Sequence, residues 1–173
     1  MPCRKASSKL VSISCTALLF LTACHRDTPG RFGFGRPATI HEIDSMNTSI
    51  RPDGRGLPKG SGDAVTGLAI YTAKCAACHG ATGREGPFPK LVGDTGKVHT
   101  IGNYWPYATT VFDYIRRAMP VNAPGSLADS EVYDLTAYLL SANHVIGDAT
   151  VLDSATLARV VMPAKKLFVT ESP

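Results

Sequence analysis

The feature that most constrains this chain is a pair of cysteines two residues apart, followed directly by a histidine: Cys75-Ala76-Ala77-Cys78-His79. Two thiols at this spacing can each add to a vinyl group of haem, and the next residue supplies an imidazole for the iron. A zinc site would need a second ligand pair, and a thioredoxin-type redox pair would need a βαβ context. Because the sequence offers neither, the motif predicts one covalently attached haem c.

The N-terminus is typical of an export signal. A basic start precedes an apolar run from Leu10 to Leu21, which is too short for a stable membrane span. The run ends in Leu21-Thr22-Ala23-Cys24, which resembles the bacterial lipobox, where small residues precede a cysteine that is acylated. We therefore expect residues 1–24 to be a lipoprotein-type signal peptide and the chain to be exported to the periplasmic side, anchored to a membrane through Cys24. Cleavage at nearby small residues, with Cys24 incidental, is the alternative.

Charge and cysteine usage agree with export. Loss of the three basic residues of the signal lowers the formal net charge from +4 to +1, and nothing in the sequence suggests a nucleic-acid partner. Cys3 and Cys15 leave with the signal and Cys24 takes the lipid, so only the two cysteines of the motif remain. An exported chain without a spare cysteine pair has no disulfide, so its stability must come from its core and its cofactor.

The 173 residues favour one domain with extensions. Residues 25–62 are rich in Gly, Pro and Arg and have no sustained helical or strand period, which predicts a linker. Four of its side chains are more apolar than a spacer needs, namely Phe32, Phe34, Ile40 and Ile43. We therefore expect the linker to be packed in part. The core is predicted at residues 63–143, followed by a C-terminal extension, residues 144–173, with a short helical turn after Asp153.

Three helices are predicted within the core. Asp63 is a plausible N-cap for a helix that runs to the first cysteine of the motif. After an irregular loop over residues 80–106, an apolar stripe predicts a second helix at about 109–118, ended by Met119-Pro120. Apolar spacing and an acidic first turn predict a third helix at about 129–142. The fold class is therefore all-α, with about three to five helices around one covalent haem and irregular N- and C-terminal extensions.

The surroundings of the motif resemble the class I cytochrome c domain across residues 63–143. The resemblance rests on Gly67 and Tyr71 in the first helix, on Ala137-Tyr138-Leu139 in the last, on the glycines that follow the histidine, and on Pro89-Lys90-Leu91. It implies that the first and last helices meet at these positions. It also implies that the Pro89 carbonyl accepts the Nδ1 proton of His79, fixing the orientation of that imidazole; Pro87 is a weaker candidate.

The same resemblance places the axial methionine at Met119, just before the last core helix. The alternative is a core methionine that fills a gap, in which case Met162 or His99 would compete for the iron. A thioether opposite an imidazole favours the ferrous state and leaves no open position for substrate, so the expected activity is electron transfer. His25, His41 and His144 are expected at the surface, because no pair among them has metal-ligand spacing.

Two further stretches resemble cytochrome subunits of bacterial sulfite and sulfur dehydrogenases: residues 51–62, beginning Arg51-Pro52-Asp53-Gly54, and residues 102–120, beginning Gly102-Asn103-Tyr104-Trp105-Pro106. In those systems a molybdenum-cofactor subunit oxidises the sulfur compound, and the haem subunit relays electrons to another cytochrome c. Residues 151–153 and 160–163 agree with this resemblance, whereas the family pattern is lost from Ala164. Because the larger sulfur dehydrogenase subunits carry a second haem domain, the resemblance favours a single-haem sulfite dehydrogenase subunit.

Four side chains in the second of these stretches have two interpretations each. Tyr104 and Trp105 are candidates to donate to a haem propionate, and Arg116 and Arg117 to bind a propionate or a partner protein. The alternative is that the aromatic residues wall the haem pocket and the arginines lie on a solvated helix face.

Three other functions remain open at this point. The first is a free-standing, lipid-anchored carrier that feeds a terminal oxidase. The second is a haem enzyme in which Met119 does not bind and the iron reacts with a sulfur compound, as in a thiosulfate-oxidising cytochrome; the absence of a general acid or base near the motif argues against it. The third is a haem-based sensor, for which the sequence offers no signalling module.

Overall fold

The computed structural model describes residues 35–93 and 98–168. The predicted signal peptide, its anchor at Cys24, and the side chains of His25, Phe32 and Phe34 lie outside these ranges. The chain divides into two units, Met1–Ile43 and Asp44–Pro173. Within the described ranges, none of the helices has the length and apolar character needed to cross a membrane.

Helix α1, Ile40–Met46, lies in the segment that was expected to have no helical period, so that expectation was wrong for these residues. The helix begins with a reciprocal cap. Glu42 Oε2 accepts the backbone N–H of Thr39 at 2.8 Å, and Thr39 Oγ1 accepts the N–H of Glu42 at 3.2 Å. Ile40 and Ile43 are 78% and 54% exposed, so these two side chains are not the packed part of the linker.

The second unit is built mainly from helices, which confirms the all-α prediction. Two short strands and several brief turns of helix accompany the three long ones. The elements after α1 are β1 (Ser61–Asp63), α2 (Ala64–Lys74), α3 (Ala76–His79), α4 (Ile101–Tyr104), α5 (Ala108–Ala118), α6 (Asp129–Ala142), β2 (Val151–Asp153) and two 3₁₀ turns, Leu157–Arg159 and Pro163–Leu167.

Helices α2 and α6 form the centre of the fold. Asp63 caps α2 as predicted, accepting the N–H groups of Val65 and Thr66 at 2.9 Å each. At Gly67 the helices approach so closely that a Cβ would lie 2.7 Å from Tyr138 Cβ and overlap the backbone of α6. One turn later, the rings of Tyr71 and Tyr138 lie 5.0 Å apart. The predicted meeting of the first and last core helices at these positions is therefore confirmed.

Helix α5 packs against α6 through its apolar face. Phe112 is fully buried, and its ring lies 4.5 Å from that of Tyr133 on α6. The backbone N–H of Met119 donates to Ile115 at 3.1 Å and closes the last turn of α5, as the Met119-Pro120 sequence predicts. In the described parts of the loop between α3 and α5, residues 80–93 and 98–107, the chain is irregular apart from the four residues of α4.

The C-terminal extension is packed onto the core and contributes more structure than expected. Strand β2 pairs antiparallel with β1, with Gly62 opposite Leu152. Leu152, Leu157 and Met162 are all at most 1% exposed. The predicted turn after Asp153 is confirmed as the first 3₁₀ turn. Strands of three residues are too short to show an alternating pattern, which explains why the sequence did not predict them.

Candidate haem site

Cys75 lies between α2 and α3, and Cys78 and His79 lie in the short helix α3 itself. The backbone N–H of Cys75 donates to the backbone carbonyl of Tyr71 at 2.8 Å, so the first cysteine ends α2 and begins α3. The N–H groups of Cys78 and His79 both donate to the Cys75 carbonyl, at 3.1 and 3.0 Å. All three side chains are partly buried. The thiols and the imidazole are therefore held together by backbone hydrogen bonds.

The Cys75 thiol is not set up for thiolate chemistry. Burial raises the pKa of the Cys75 thiol to about 11, which keeps it protonated at neutral pH. Redox cysteine pairs and zinc sites need the thiolate, which a lowered pKa favours. Across residues 35–93 and 98–168, no group of three or more His, Cys, Asp or Glu side chains could hold a metal ion. The surroundings of Cys75 therefore agree with a thiol that forms a thioether rather than with a thiolate that binds a metal or a redox partner.

The loop after α3 returns to the histidine. Nδ1 of His79 lies 3.0 Å from the carbonyl oxygen of Pro89, so the expected bond is present with Pro89 rather than with Pro87 as its partner. The backbone N–H of Phe88 donates to the Cys78 carbonyl at 3.2 Å. With Nδ1 engaged, Nε2 is the nitrogen left for a metal.

Glycines allow this loop to approach the motif. At Gly86 a Cβ would lie 2.6 Å from the Gly80 nitrogen and would overlap the Cys78 carbonyl. Gly80 itself has φ +84°, in the left-handed region that favours glycine, and its carbonyl accepts the hydroxyl of Tyr71 at 2.8 Å. Leu91 donates its N–H to Gly83 at 2.8 Å. The loop is thus fixed to α2 and α3 by its backbone.

The three candidates for the sixth iron ligand lie in different surroundings. Met119 is partly buried at the C-cap of α5 and packs against the core cluster. Met162 is 1% exposed inside that cluster, where it fills the core. His99 is exposed, and its ring stacks on that of Tyr104 at 4.2 Å.

The two aromatic candidates for a propionate contact also differ. Trp105 is partly buried, packs against the core cluster and lies 5.5 Å from the Tyr114 ring. Tyr104 is 45% exposed and contacts His99 and, edge-on at 6.0 Å, Phe168. Trp105 therefore has the surroundings of a pocket wall, and Tyr104 those of a surface cluster.

Both arginines have carboxylate partners in this chain. Nε of Arg116 lies 2.7 Å from Oδ1 of Asp129, the first residue of α6. Arg117 pairs with Asp113, one turn earlier on α5. A role toward a propionate or a partner protein would compete with these ion pairs.

Comparison with known proteins matches this architecture. The family model for "Cytochrome C oxidase, cbb3-type, subunit III" matches residues 62–139. A chain in the crystal structure of the sulfane dehydrogenase SoxCD from Paracoccus pantotrophus has a TM-score of 0.71 and 38% sequence identity; the match covers 82% of this chain and 73% of that one. This chain belongs to the c-type cytochromes. As such, the cytochrome carries covalently bound haem c and serves in electron transfer.

Curated relatives of the cytochrome are named thiosulfate dehydrogenase. The protein from Allochromatium vinosum is 33% identical over 108 residues, which is 58% of this chain and 36% of that protein. The protein from Psychrobacter arcticus is 30% identical over 105 residues, or 54% of this chain and 31% of that one. The cytochrome spans about a third of the length of these relatives.

The residues of the motif fit a covalent haem. Cys75 and Cys78 are both free, partly buried and set on adjoining turns, and His79 presents Nε2 while Pro89 fixes Nδ1. Two free thiols and one oriented imidazole are the donor set that haem attachment requires. The cytochrome therefore has, at this turn, what the family's cofactor needs.

Sequence reasoning missed Asn143, which joins the loop to the end of α6. Its Oδ1 accepts the N–H of Gly93 at 3.0 Å, and its Nδ2 donates to Leu91 at 3.1 Å and to Leu139 at 2.8 Å. Its one local signal is an asparagine at the C-terminal end of a predicted helix, where Asn is common. The two contacts with the loop cross about 50 residues of sequence, and no local pattern predicts them.

Proposed function

We propose that this c-type cytochrome attaches its haem through Cys75 and Cys78 and binds the iron with His79 and Met119. The arrangement of the motif, with Nδ1 of His79 on the Pro89 carbonyl, supports the first three assignments. The position of Met119 at the C-cap of α5, partly buried and against the core, supports the fourth. Met162 is the weaker choice, because it is occupied in packing the core.

Each side chain has a distinct task in this proposal. Pro89 holds the imidazole of His79 in one orientation and makes it a stronger electron donor. Met119 supplies a thioether, a soft ligand that favours the ferrous state. Trp105 walls the pocket and limits access of water. When bound, the haem supplies a one-electron couple, with its potential set by these neighbours.

The ligand assignment has a direct test. In the ferric holoprotein, Met119→Ala should abolish the absorption band that reports a thioether on the iron, and should lower the reduction potential. Met162→Ala removes the competing sulfur and should leave the band in place, although it creates a core cavity. Loss of the band in Met162→Ala alone would assign the ligand to Met162 instead.

We propose further that the cytochrome is the haem subunit of a sulfite dehydrogenase-type system. It would relay electrons from a molybdenum-cofactor subunit to another cytochrome c. The observation that carries this proposal is the likeness to a chain of SoxCD, at 38% identity over most of both chains. A free-standing carrier that feeds a terminal oxidase would have the same core, so only a partner-dependent measurement separates the two.

That measurement follows haem reduction after addition of sulfite to the purified holoprotein. We expect no reduction by sulfite alone, and rapid reduction once the candidate molybdenum subunit is added. A second cytochrome c added to the reduced protein should then be reduced in turn. Haem reduction by sulfite without any partner would contradict the relay.

A second function is favoured by the relatives named thiosulfate dehydrogenase. In that case the haem would react with thiosulfate directly, and Met119 would leave the iron or never bind it. Thiosulfate added to the isolated holoprotein distinguishes the two. Haem reduction by thiosulfate in the absence of any partner would support direct oxidation, whereas an unchanged spectrum would support the relay.

We also propose that the chain is exported and held at the membrane through a lipid on Cys24. The support is the basic and apolar N-terminus followed by Leu21-Thr22-Ala23-Cys24. In a bacterial host, the full chain should label with a radioactive fatty acid and sediment with membranes. Cys24→Ser should abolish the label and release the holoprotein into the soluble periplasmic fraction. Persistence of the label in Cys24→Ser would contradict the assignment.

A further inference from the structure

The segment from Met119 to Ala128, called here the methionine loop, has few contacts that hold it. Residues 121–126 are exposed, and Leu127 is the loop's buried side chain. Its internal hydrogen bonds are local: Ala123 donates to Pro120 at 2.9 Å, and Ser126 donates to Ala123 at 3.3 Å. These two bonds shape the turns, and only the last residue of the described loop is bonded to a following helix, where the Ala128 N–H donates to Oε2 of Glu131 on α6 at 3.0 Å.

An ion pair crosses the base of this loop. Arg116 lies in the last turn of α5, three residues before the loop, and Asp129 is the first residue of α6, directly after it. Nε of Arg116 and Oδ1 of Asp129 are 2.7 Å apart, and the two side chains are only 33% and 37% exposed. This partial burial shields the pair from water more than an ordinary surface pair. The pair therefore joins the two helix ends from which the loop emerges.

We propose that the Arg116–Asp129 pair is a clamp that keeps Met119 on the haem iron. The proposal rests on the assignment of Met119 under the proposed function. Arg116 and Asp129 act as positioning residues: they hold the two ends of the loop at a fixed separation, so that conformations with the thioether withdrawn are rare. This role differs from the propionate or partner contact expected from the sequence, because the guanidinium is already engaged with Asp129.

The chain provides a matched control in a second ion pair. Nζ of Lys74 lies 2.6 Å from Oε1 of Glu131, with side chains 41% and 26% exposed. Glu131 is in the same first turn of α6 as Asp129. This pair also links two helices, but its partners are α2 and α6, and it does not cross the methionine loop. Lys74→Gln removes this pair but keeps Glu131 and its bond from the Ala128 N–H, so it tests the loss of an ion pair at the start of α6 without opening the base of the loop.

The test measures how readily imidazole displaces the native sixth ligand of the ferric holoprotein. Imidazole binds only when the thioether has left, so its apparent Kd falls as the open population rises. Loss of a partly shielded pair should increase that population about fivefold. We therefore expect Arg116→Gln and Asp129→Asn each to lower the apparent Kd about fivefold, and the double variant to lower it no further. Arg116→Lys keeps the charge and should show a smaller shift.

The control variant, the outcomes that overturn the clamp and the outcome that overturns the ligand assignment can be told apart. Lys74→Gln should leave the apparent Kd for imidazole unchanged, even where it lowers the denaturant midpoint as much as Arg116→Gln does. The clamp is overturned if Arg116→Gln binds imidazole like the wild type, if Lys74→Gln shifts the Kd equally, or if the two single shifts add in the double variant. If Met119→Ala retains the thioether band, the ligand assignment fails instead, whatever the imidazole titrations give.

Discussion

The two sides of the proposed haem site are held in different ways. On the histidine side, backbone groups hold the loop that follows α3. The Phe88 N–H donates to the Cys78 carbonyl, the Leu91 N–H donates to the Gly83 carbonyl, and the Pro89 carbonyl contacts His79. On the methionine side, residues 121–126 are exposed and the loop's own hydrogen bonds are local. In the proposed ligation, the fold would fix the imidazole of His79, whereas the thioether of Met119 would depend on a loop whose base is crossed by the Arg116–Asp129 pair. Exchange of ligands should therefore occur on the methionine side.

The largest effect is expected from adding a methyl group on the histidine side. At Gly86 a Cβ would overlap the Cys78 carbonyl of the motif and lie 2.6 Å from the nitrogen of Gly80, the next residue after the motif. Since backbone cannot move aside as a side chain can, Gly86→Ala should lower the free energy of unfolding by about 3 kcal/mol or more. Guanidinium unfolding of the holoprotein, followed by haem absorbance, measures it.

The matched control is Gly125→Ala in the methionine loop. Gly125 has φ +73°, but a Cβ there meets nothing within 4 Å. The cost is then only that of a left-handed backbone for alanine, about 1 kcal/mol. Equal destabilisation by the two substitutions would show that the histidine side is no more tightly packed than the methionine loop.

A smaller loss of unfolding free energy is expected when the loop that follows α3, on the histidine side, is released from α6. Asn143→Leu removes three hydrogen bonds, of which two hold the backbone of Leu91 and Gly93. Leaving these partly buried backbone groups unpaired should cost about 2 kcal/mol of unfolding free energy. The same denaturation measurement tests it.

Asn103→Ala is the control for this prediction, because its two side-chain bonds, to Thr100 and Val98, lie within the loop itself. It should cost about 1 kcal/mol. A loss in Asn143→Leu no greater than that in Asn103→Ala would mean that the link to α6 does not stabilise the loop.

Which parts of this structure could be predicted from the sequence depends on how far apart along the chain the interacting residues are. The helix at residues 129–142 was predicted to the residue, because its apolar spacing and acidic first turn are local signals. Helix α1 also has a local signal, Thr39 followed by Glu42 three residues later, which marks a helix start even where no helical period is visible. The β1–β2 ladder joins residues about 90 positions apart and has no local signal.

The candidate site likewise contains features that a local sequence pattern predicts and contacts that no local pattern predicts. The spacing of Cys75, Cys78 and His79 is a local pattern, and the Pro89 contact came from a family resemblance that fixes a short distance along the chain. The partner of Arg117 has a local signal, because Asp113 lies one turn earlier on the same predicted helix, whereas the partner of Arg116 was not predicted. Asp129 is 13 residues from Arg116, across the methionine loop, and the pairing depends on how α5 and α6 pack.

The smallest expected effect concerns an exposed carboxylate on the histidine side. Glu85 accepts hydrogen bonds from the Thr82 hydroxyl, from the Thr82 N–H at 3.2 Å and from the Arg84 N–H at 3.3 Å. The bond from the Thr82 side chain contributes most to lowering the pKa of Glu85 below its ordinary value of 4.5. Because the folded pKa is below the unfolded one, the ionised group stabilises the turn above about pH 4.5.

Glu85→Gln should therefore be slightly less stable than the wild type at pH 6–7, and the difference should shrink as pH falls from about 4.5 through the folded pKa, where the wild type also loses the ionised group. Denaturant unfolding at a series of pH values measures this. Asp44→Asn, which removes an equal charge from an exposed position on α1, controls for net charge and should show no such convergence. A stability for Glu85→Gln equal to the wild type at every pH would mean that the Thr82–Glu85 bonds add nothing, and that the histidine side is held by its backbone contacts alone.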